Sequence, residues 1–218
     1  MSQAKTLNDT ELRAVLAAAT ETRYPERNRV IVLLSFKAGL RASEIAKLRR
    51  WHVMTPGGEL DNMIRLDKTI IKGGMKKRRA GKPRTVPINA DLRTAILDYW
   101  RVCPGDHTTP LVLSERADTN ATEPTTGEGP SAAATLPSPM LPRTIVRLFS
   151  QLYRRAGLIG ARSHSGRRTF GTKAARAITK AGGSLRDVQQ LLGHADLATT
   201  QRYIEGDEEA KKRVVELI

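Results

Sequence analysis

"LGHADLATTQRY" (residues 192–203) closes a helical pattern, "SLRDVQQLLG" (184–193). It sets His194 directly after a helix-stopping glycine and Tyr203 nine positions further on. Taken alone, the stretch is an ordinary helix end followed by a packing tyrosine, which is how Tyr24, Tyr99 and Tyr153 are read elsewhere in the chain. Its neighbours change that reading. Upstream, "HSGRRTF" (164–170) spaces His164 and Arg167 three residues apart, where another helical pattern begins. Further back, "AGLRASEIAKL" (38–48) puts Arg41 at a break after Gly39, three residues before Glu44. Between these regions, "IIKGG" and "RTVPI" (84–88) flank a Lys/Arg-rich connection that starts at Lys72.

Outward from these stretches, apolar spacing predicts an α+β domain that is mainly helical, with a small antiparallel β-sheet. Asn8 is placed to cap a first helix, with Glu11 reaching back and Leu12, Val15 and Leu16 forming its apolar face. "ERNRVIVLLSFKA" (26–38) predicts a second helix stopping at Gly39, and "ASEIAKLR" (42–49) resumes helical periodicity. "MIRLDKTII" (63–71) alternates, with Ile64, Leu66 and Ile70 on one side, and pairs with "RTVPI" as a hairpin carrying a basic tip. Helices are predicted again over "ADLRTAILDYWRV" (90–102), "LPRTIVRLFSQLYRRAG" (141–157) and "RRTFGTKAARAITKAG" (167–182). Residues 115–139, rich in Thr, Pro, Gly, Ala and Ser and without apolar periodicity, predict a flexible surface insertion. A domain linker is the alternative for so long a loop. It would leave the shorter downstream piece to build a core of its own, so one domain over 1–218 is expected.

The 218 residues include 37 Lys and Arg against 22 Asp and Glu, a net charge of +15 and a pI near 10.5. That balance favours a polyanionic partner through phosphate neutralisation, with nucleic acid ahead of an anionic membrane surface. The longest apolar run, "VIVLLSF" (30–36), is far too short to span a bilayer, and the opening "MSQAKTLNDTEL" has no signal-peptide stretch. No membrane association is expected, and the chain is read as intracellular, in the cytoplasm with DNA. Cys103 is the single cysteine, so an internal disulfide is excluded, and no Cys/His cluster has structural-zinc spacing. Cys103 is read as buried filler rather than nucleophile.

Together the four stretches resemble the catalytic domain of the tyrosine recombinase (phage integrase) family, in the family's order and from near residue 7 to the C-terminus. The His-x-x-Arg box, the Leu-Gly-His triplet and a tyrosine nine residues on form a specific signature, although each piece alone is weak. The resemblance implies that Arg41 and Arg167 are the two active-site arginines and that Glu44 helps to place the first. It implies that His164 is the first histidine of the site, His194 the second, Tyr203 the nucleophile and Lys72 the hairpin lysine. Double-stranded DNA is the implied partner, and neither metal nor cofactor is implied. Protomers are expected to assemble as tetramers on two synapsed DNA sites, with a monomer possible without DNA.

The chemistry asks for these residue types in its own right. A side-chain oxygen attacking a phosphodiester stores the bond as a phosphotyrosine, so the strand is rejoined without ATP. Charge builds on the non-bridging oxygens, and two planar guanidinium forks suit them. A phenol with a pKa near 10 is only about one part in a thousand ionised at pH 7, so attack needs a base, the role read for His164. A lysine whose pKa is lowered by neighbouring cations can protonate the leaving 5′ oxygen, the role read for Lys72. His194 is expected to donate a hydrogen bond to the scissile phosphate.

Several alternatives stay open. "MKKRRAG" lengthens the hairpin turn, so Lys76, Lys77 and Lys82 compete with Lys72. Gly166 and Arg168 depart from the leucine and histidine that the family usually carries there. The glycine is expected to loosen the helix start, and the arginine to add a cation. The separate amino-terminal DNA-gripping domain of the family is not expected before Arg41, which fits a natural single-domain member, a fragment, or a domain supplied in trans. "DEEAKKRVVELI" (207–218) predicts a short docking tail that packs on a neighbouring protomer or on its own domain. A type IB topoisomerase-like enzyme and a non-catalytic DNA-binding protein with an integrase fold are the rival functions.

Overall fold

A computed structural model describes residues 4–71, 82–115, 138–201 and 216. The hairpin tip with Lys72, Lys76 and Lys77, the interior of the 115–139 segment, Tyr203 and the 207–218 tail (Glu216 apart) lie outside the described residues.

Helix α1 (Asp9–Thr20) starts as the sequence predicts: the Asn8 side chain accepts the Glu11 N–H at 2.8 Å, and Glu11 accepts the Asn8 N–H at 2.9 Å. Helix α2 (Pro25–Ala38) is the central element. Val30, Ile31, Val32, Leu33, Leu34, Phe36 and Ala38 are all buried, as expected of a helix that is apolar on every side. It ends at Gly39, whose φ of +66° is the left-handed stop. Helix α3 (Ala42–Ile45) is only four residues long. The bonds from Lys47 N to the Glu44 carbonyl and from Leu48 N to the Ile45 carbonyl tighten its end, and Arg49 leaves to bridge Pro110. The predicted run to residue 49 therefore breaks early.

Strands β1 (Met63–Leu66) and β2 (Arg84–Pro87) form an antiparallel pair with Ile64 opposite Val86 and Leu66 opposite Arg84. The strand does not run on to Ile71 as the alternation suggests. Asp67 accepts the N–H groups of Thr69 at 2.8 Å and Ile70 at 3.2 Å, and this cap turns the chain into the short helix α4 (Lys68–Ile71). Ile70 remains buried, so its apolar position was read correctly and its conformation was not.

Helices α5 (Ala90–Val102), α6 (Pro142–Arg155), α7 (Ser165–Ala177), α8 (Leu185–Leu192) and α9 (Leu197–Gln201) complete the described α-helices. The result is a mainly helical α+β fold with a small antiparallel sheet. Helices α1, α5 and α7 pack on α2, and α8 packs on both α7 and β2. Leu111 and Val112 share one apolar cluster with Met140, Ile145 and Phe149, so both flanks of the 115–139 segment enter the same core. Its two ends are joined by the Leu113–Pro139 bridge. Phe170, Ala174 and Ala175 of α7 and Ile178 just beyond its end form a smaller cluster with Leu185, Val188 and Leu192 of α8. Among the described residues, no helix is long and apolar enough to cross a membrane.

Gly166 does not loosen the start of α7. A Cβ there would collide with Ser35 Oγ and stand 2.8 Å from Phe36 Cδ2, so the glycine is what lets α7 lie directly on α2. Arg168 spends its charge away from the centre, donating to the Ala4 carbonyl at 3.1 Å.

Candidate active site

The site forms where three helix ends and one strand meet. Arg41 sits in extended backbone (φ −77°, ψ 154°) at the start of α3, immediately beyond the end of α2. His164 precedes the first residue of α7 and is exposed. Its position follows from a tight turn, in which Ser165 N donates to the Arg162 carbonyl at 2.7 Å and Arg162 N to Ser165 Oγ at 2.9 Å. Arg167 lies one turn into α7 and is buried. His194 follows Gly193, the left-handed stop of α8 (φ +63°), and is 8% exposed.

Glu44 is the hub. Its side chain is 5% exposed and accepts the Arg41 backbone N–H at 2.8 Å and Arg41 Nη1 at 3.0 Å. Arg84, from β2, grips the same carboxylate with both forks, Nη1 to Oε1 and Nη2 to Oε2, each at 3.0 Å. Arg167 Nη1 stands 3.8 Å from Oε2. Burial pushes the Glu44 pKa up, but the hydrogen bonds and charge of Arg84, then of Arg41 and Arg167, outweigh it. The carboxyl is held below its usual range and stays ionised. Three guanidiniums against one carboxylate leave a positive centre suited to an anion.

Arg167 bridges two helix ends. Its Nη1 donates to the Gly39 carbonyl at the end of α2, and its Nη2 to the Leu192 carbonyl at the end of α8. Both helices present the negative end of their dipole to this cation. Thr169, two residues on, accepts the Leu7 N–H at 2.9 Å and ties the start of the chain to α7.

Both histidines feel the guanidinium charges. Partial burial, then Arg167 and Arg41, lower the pKa of His164. Burial, then Arg167, Arg41 and Arg84, bring that of His194 to about 4 against an opposing pull from Glu44. Both rings are therefore neutral at pH 7, and Arg41 and Arg167 act on each of them. His194 Nδ1 lies 3.0 Å from Thr200 Oγ1 on α9, and Thr200 is fully buried. The bond can run either way; with the Thr200 hydroxyl as donor to Nδ1, the ring proton sits on Nε2.

The structure thus brings together Arg41, Glu44, Arg167, His164 and His194. Lys72 and Tyr203 fall outside the described residues, which reach Gln201 at the end of α9. Of the competing hairpin lysines, Lys82 is described, and it lines a groove of about 760 Å³ with Arg84, Arg186, Gln190 and His194. Sequence reasoning missed Arg84 and Thr200. Arg84 read as a strand residue beside a valine and a proline, and Thr200 as part of a spacer. Their partners lie 40 residues away for the Arg84–Glu44 pair and six for the Thr200–His194 pair, and no local pattern marks either role.

The chain is 30% identical over 210 residues to the tyrosine recombinase XerC of Bradyrhizobium diazoefficiens, covering 96% of this chain and 54% of that protein. It is 29% identical over 212 residues to the tyrosine recombinase XerA of Pyrococcus furiosus, covering 97% and 61%. The chain therefore spans little more than half the length of these relatives. Among solved structures, it is similar to a XerA recombinase (TM-score 0.66, 22% identity, 100% of this chain and 64% of that one). It is also similar to the Tn1549 transposon integrase in complex with transposon right end DNA (TM-score 0.69, 14% identity, 100% and 67%). The family model described as the phage integrase family matches residues 5–210, nearly the whole chain, and the chain belongs to that family.

Proposed function

We propose that the chain is a site-specific DNA recombinase that cuts and rejoins double-stranded DNA through a 3′-phosphotyrosine at Tyr203. The observation that carries this reading is the cluster at Glu44: one ionised carboxylate holding Arg41 and Arg84, with Arg167 beside it and two neutral histidines facing the same charges. In the proposed step, the Tyr203 oxygen attacks phosphorus and its proton passes to His164, which is neutral and able to accept it. The bond from phosphorus to the 5′ oxygen breaks, and that oxygen takes a proton from a hairpin lysine, Lys72 or its competitor Lys82. Arg41 and Arg167 stabilise the charge on the non-bridging oxygens, and His194 donates its Nε2 proton to one of them. Attack by a 5′ hydroxyl on the phosphotyrosine reverses each transfer and reseals a strand, so bond energy is conserved and the reaction draws on no metal ion.

The +15 net charge supports a DNA partner through phosphate contacts. Residues 1–218 then act as one catalytic unit, in the cytoplasm on DNA, assembling as tetramers on paired sites with the 207–218 tail as the docking element. The test begins with a pool of nicked duplexes of randomised core sequence, from which a covalent protein–DNA adduct is recovered on a denaturing gel. The recovered duplex is then offered to Tyr203→Phe. Loss of the adduct is expected, and an adduct that persists removes Tyr203 as the nucleophile.

A further inference from the structure

We propose that Arg84 is a positioning residue of the strand-cleavage centre, locking β2, Glu44 and the end of α8 into one unit that aims Arg41 and His194 at the scissile phosphate. This rests on the recombinase reading above.

Three bonds define the role. Arg84 Nε donates to the Leu191 carbonyl at 2.9 Å, while Nη1 and Nη2 hold the two oxygens of Glu44. The side chain is 4% exposed, so the guanidinium is turned inward and is not placed to grip DNA itself. The three segments it joins are far apart in sequence: Arg84 is 40 residues from Glu44 and 107 from Leu191. The end of α8 is shaped to receive it. A Cβ on Gly193 would stand 2.7 Å from Arg84 Nη1 and 3.0 Å from Arg84 Cδ, so the glycine beside His194 provides both the left-handed stop and the space for this guanidinium.

The consequence for chemistry follows from competition among cations. Glu44 attracts every guanidinium near it, and a carboxylate that drew Arg41 or Arg167 in fully would hold them off a phosphate. Arg84 occupies one position on each oxygen. Arg41 is then bound through one side-chain nitrogen, with its side chain still 34% exposed, and Arg167 stands off at 3.8 Å. Lysine at position 84 keeps the charge but has no planar fork and no Nε–H, so it cannot hold both oxygens and the Leu191 carbonyl together.

The experiment uses the full chain and the nicked duplex recovered from the randomised pool. Adduct formation is timed for Arg84→Lys, Arg84→Gln and Arg41→Ala, first with the natural phosphodiester and then with a neutral methylphosphonate at the mapped scissile position. Melting temperature identifies the folded variants, and whichever Arg84 variant is folded decides. On the phosphodiester, cleavage should slow by about 100-fold, the scale of a misplaced catalytic group. On the methylphosphonate the deficit should narrow by about tenfold, because the lost function is the placement of cations against phosphate charge. An equal deficit on both substrates, as a merely structural role gives, or no deficit on either, overturns the proposal. If Arg41→Ala forms adduct on the phosphodiester as fast as the unaltered chain, Arg41 loses its assigned role; if the unaltered chain forms no adduct on any duplex of the pool, the recombinase reading itself fails.

Discussion

Acid should weaken this fold through His194 before it acts through Glu44. In the unfolded chain the His194 ring takes up a proton near pH 6.5, whereas the folded chain refuses it until about pH 4. The cause is burial, then the charges of Arg167, Arg41 and Arg84 around a ring that is 8% exposed. Between those two values the unfolded state binds more protons, so stability rises with pH. The contribution is complete above pH 6.5 and is lost as pH falls towards 4. The gap of about 2.5 pH units corresponds to about 3 kcal/mol, a sizeable part of the stability of a domain. The measurement is urea denaturation followed by circular dichroism, in small steps from pH 7 down to pH 4, for the unaltered chain and for His194→Gln. His52 and His164 also have lowered pKa values and remain in both proteins, so the difference between the two curves isolates His194. The unaltered chain should lose about 3 kcal/mol more than the variant over this window. Two parallel curves would refute the picture of a neutral ring enclosed by cations.

Two further outcomes are expected. Gly166→Ala drives a methyl group against Ser35 and Phe36 where α7 lies on α2, and should cost about 1–3 kcal/mol, seen as a lower melting temperature; an unchanged melting temperature would contradict the close approach. For the leaving-group acid, a 5′-phosphorothiolate at the scissile position should restore cleavage to Lys72→Ala, since a thiolate departs without a proton. Rescue of Lys82→Ala alone would move the role to the lysine that lines the His194 groove.

Much of the scaffold was legible because its signals are local. The Asn8–Glu11 cap, the stop at Gly39, the break that exposes Arg41 and the alternation of Ile64 and Leu66 each depend on residues a few positions apart, and each appears as read. Ile70 shows where that approach ends: the apolar period continued, but the Asp67 side chain offered the backbone a better bond than a strand partner did. Gly166 was misjudged because its environment is supplied by α2, and helix contact is invisible to propensity. Arg41, His164, Arg167 and His194 were legible as a spaced set. Arg84 was not, because its meaning lies in a carboxylate and a helix end brought to it only by folding. The hairpin lysine and Tyr203 rest on sequence and chemistry alone.

The placement of Arg167 has a practical consequence for anyone who wants an inert version of this protein. Its guanidinium ties together the last turns of α2 and α8, so truncating it removes a group to which the proposed mechanism assigns charge stabilisation and also orphans two buried backbone acceptors. Weak activity in such a mutant would be read as lost chemistry when part of it is a loosened scaffold. Arg41 is the cleaner target. A third of its side chain already faces outward, and Glu44 keeps its two-pronged partner when Arg41 is cut back. On the proposed mechanism, a decoy meant to sit on its target without cutting it is therefore best made at Arg41, whose loss leaves the Arg84–Glu44 pair and the architecture around it standing.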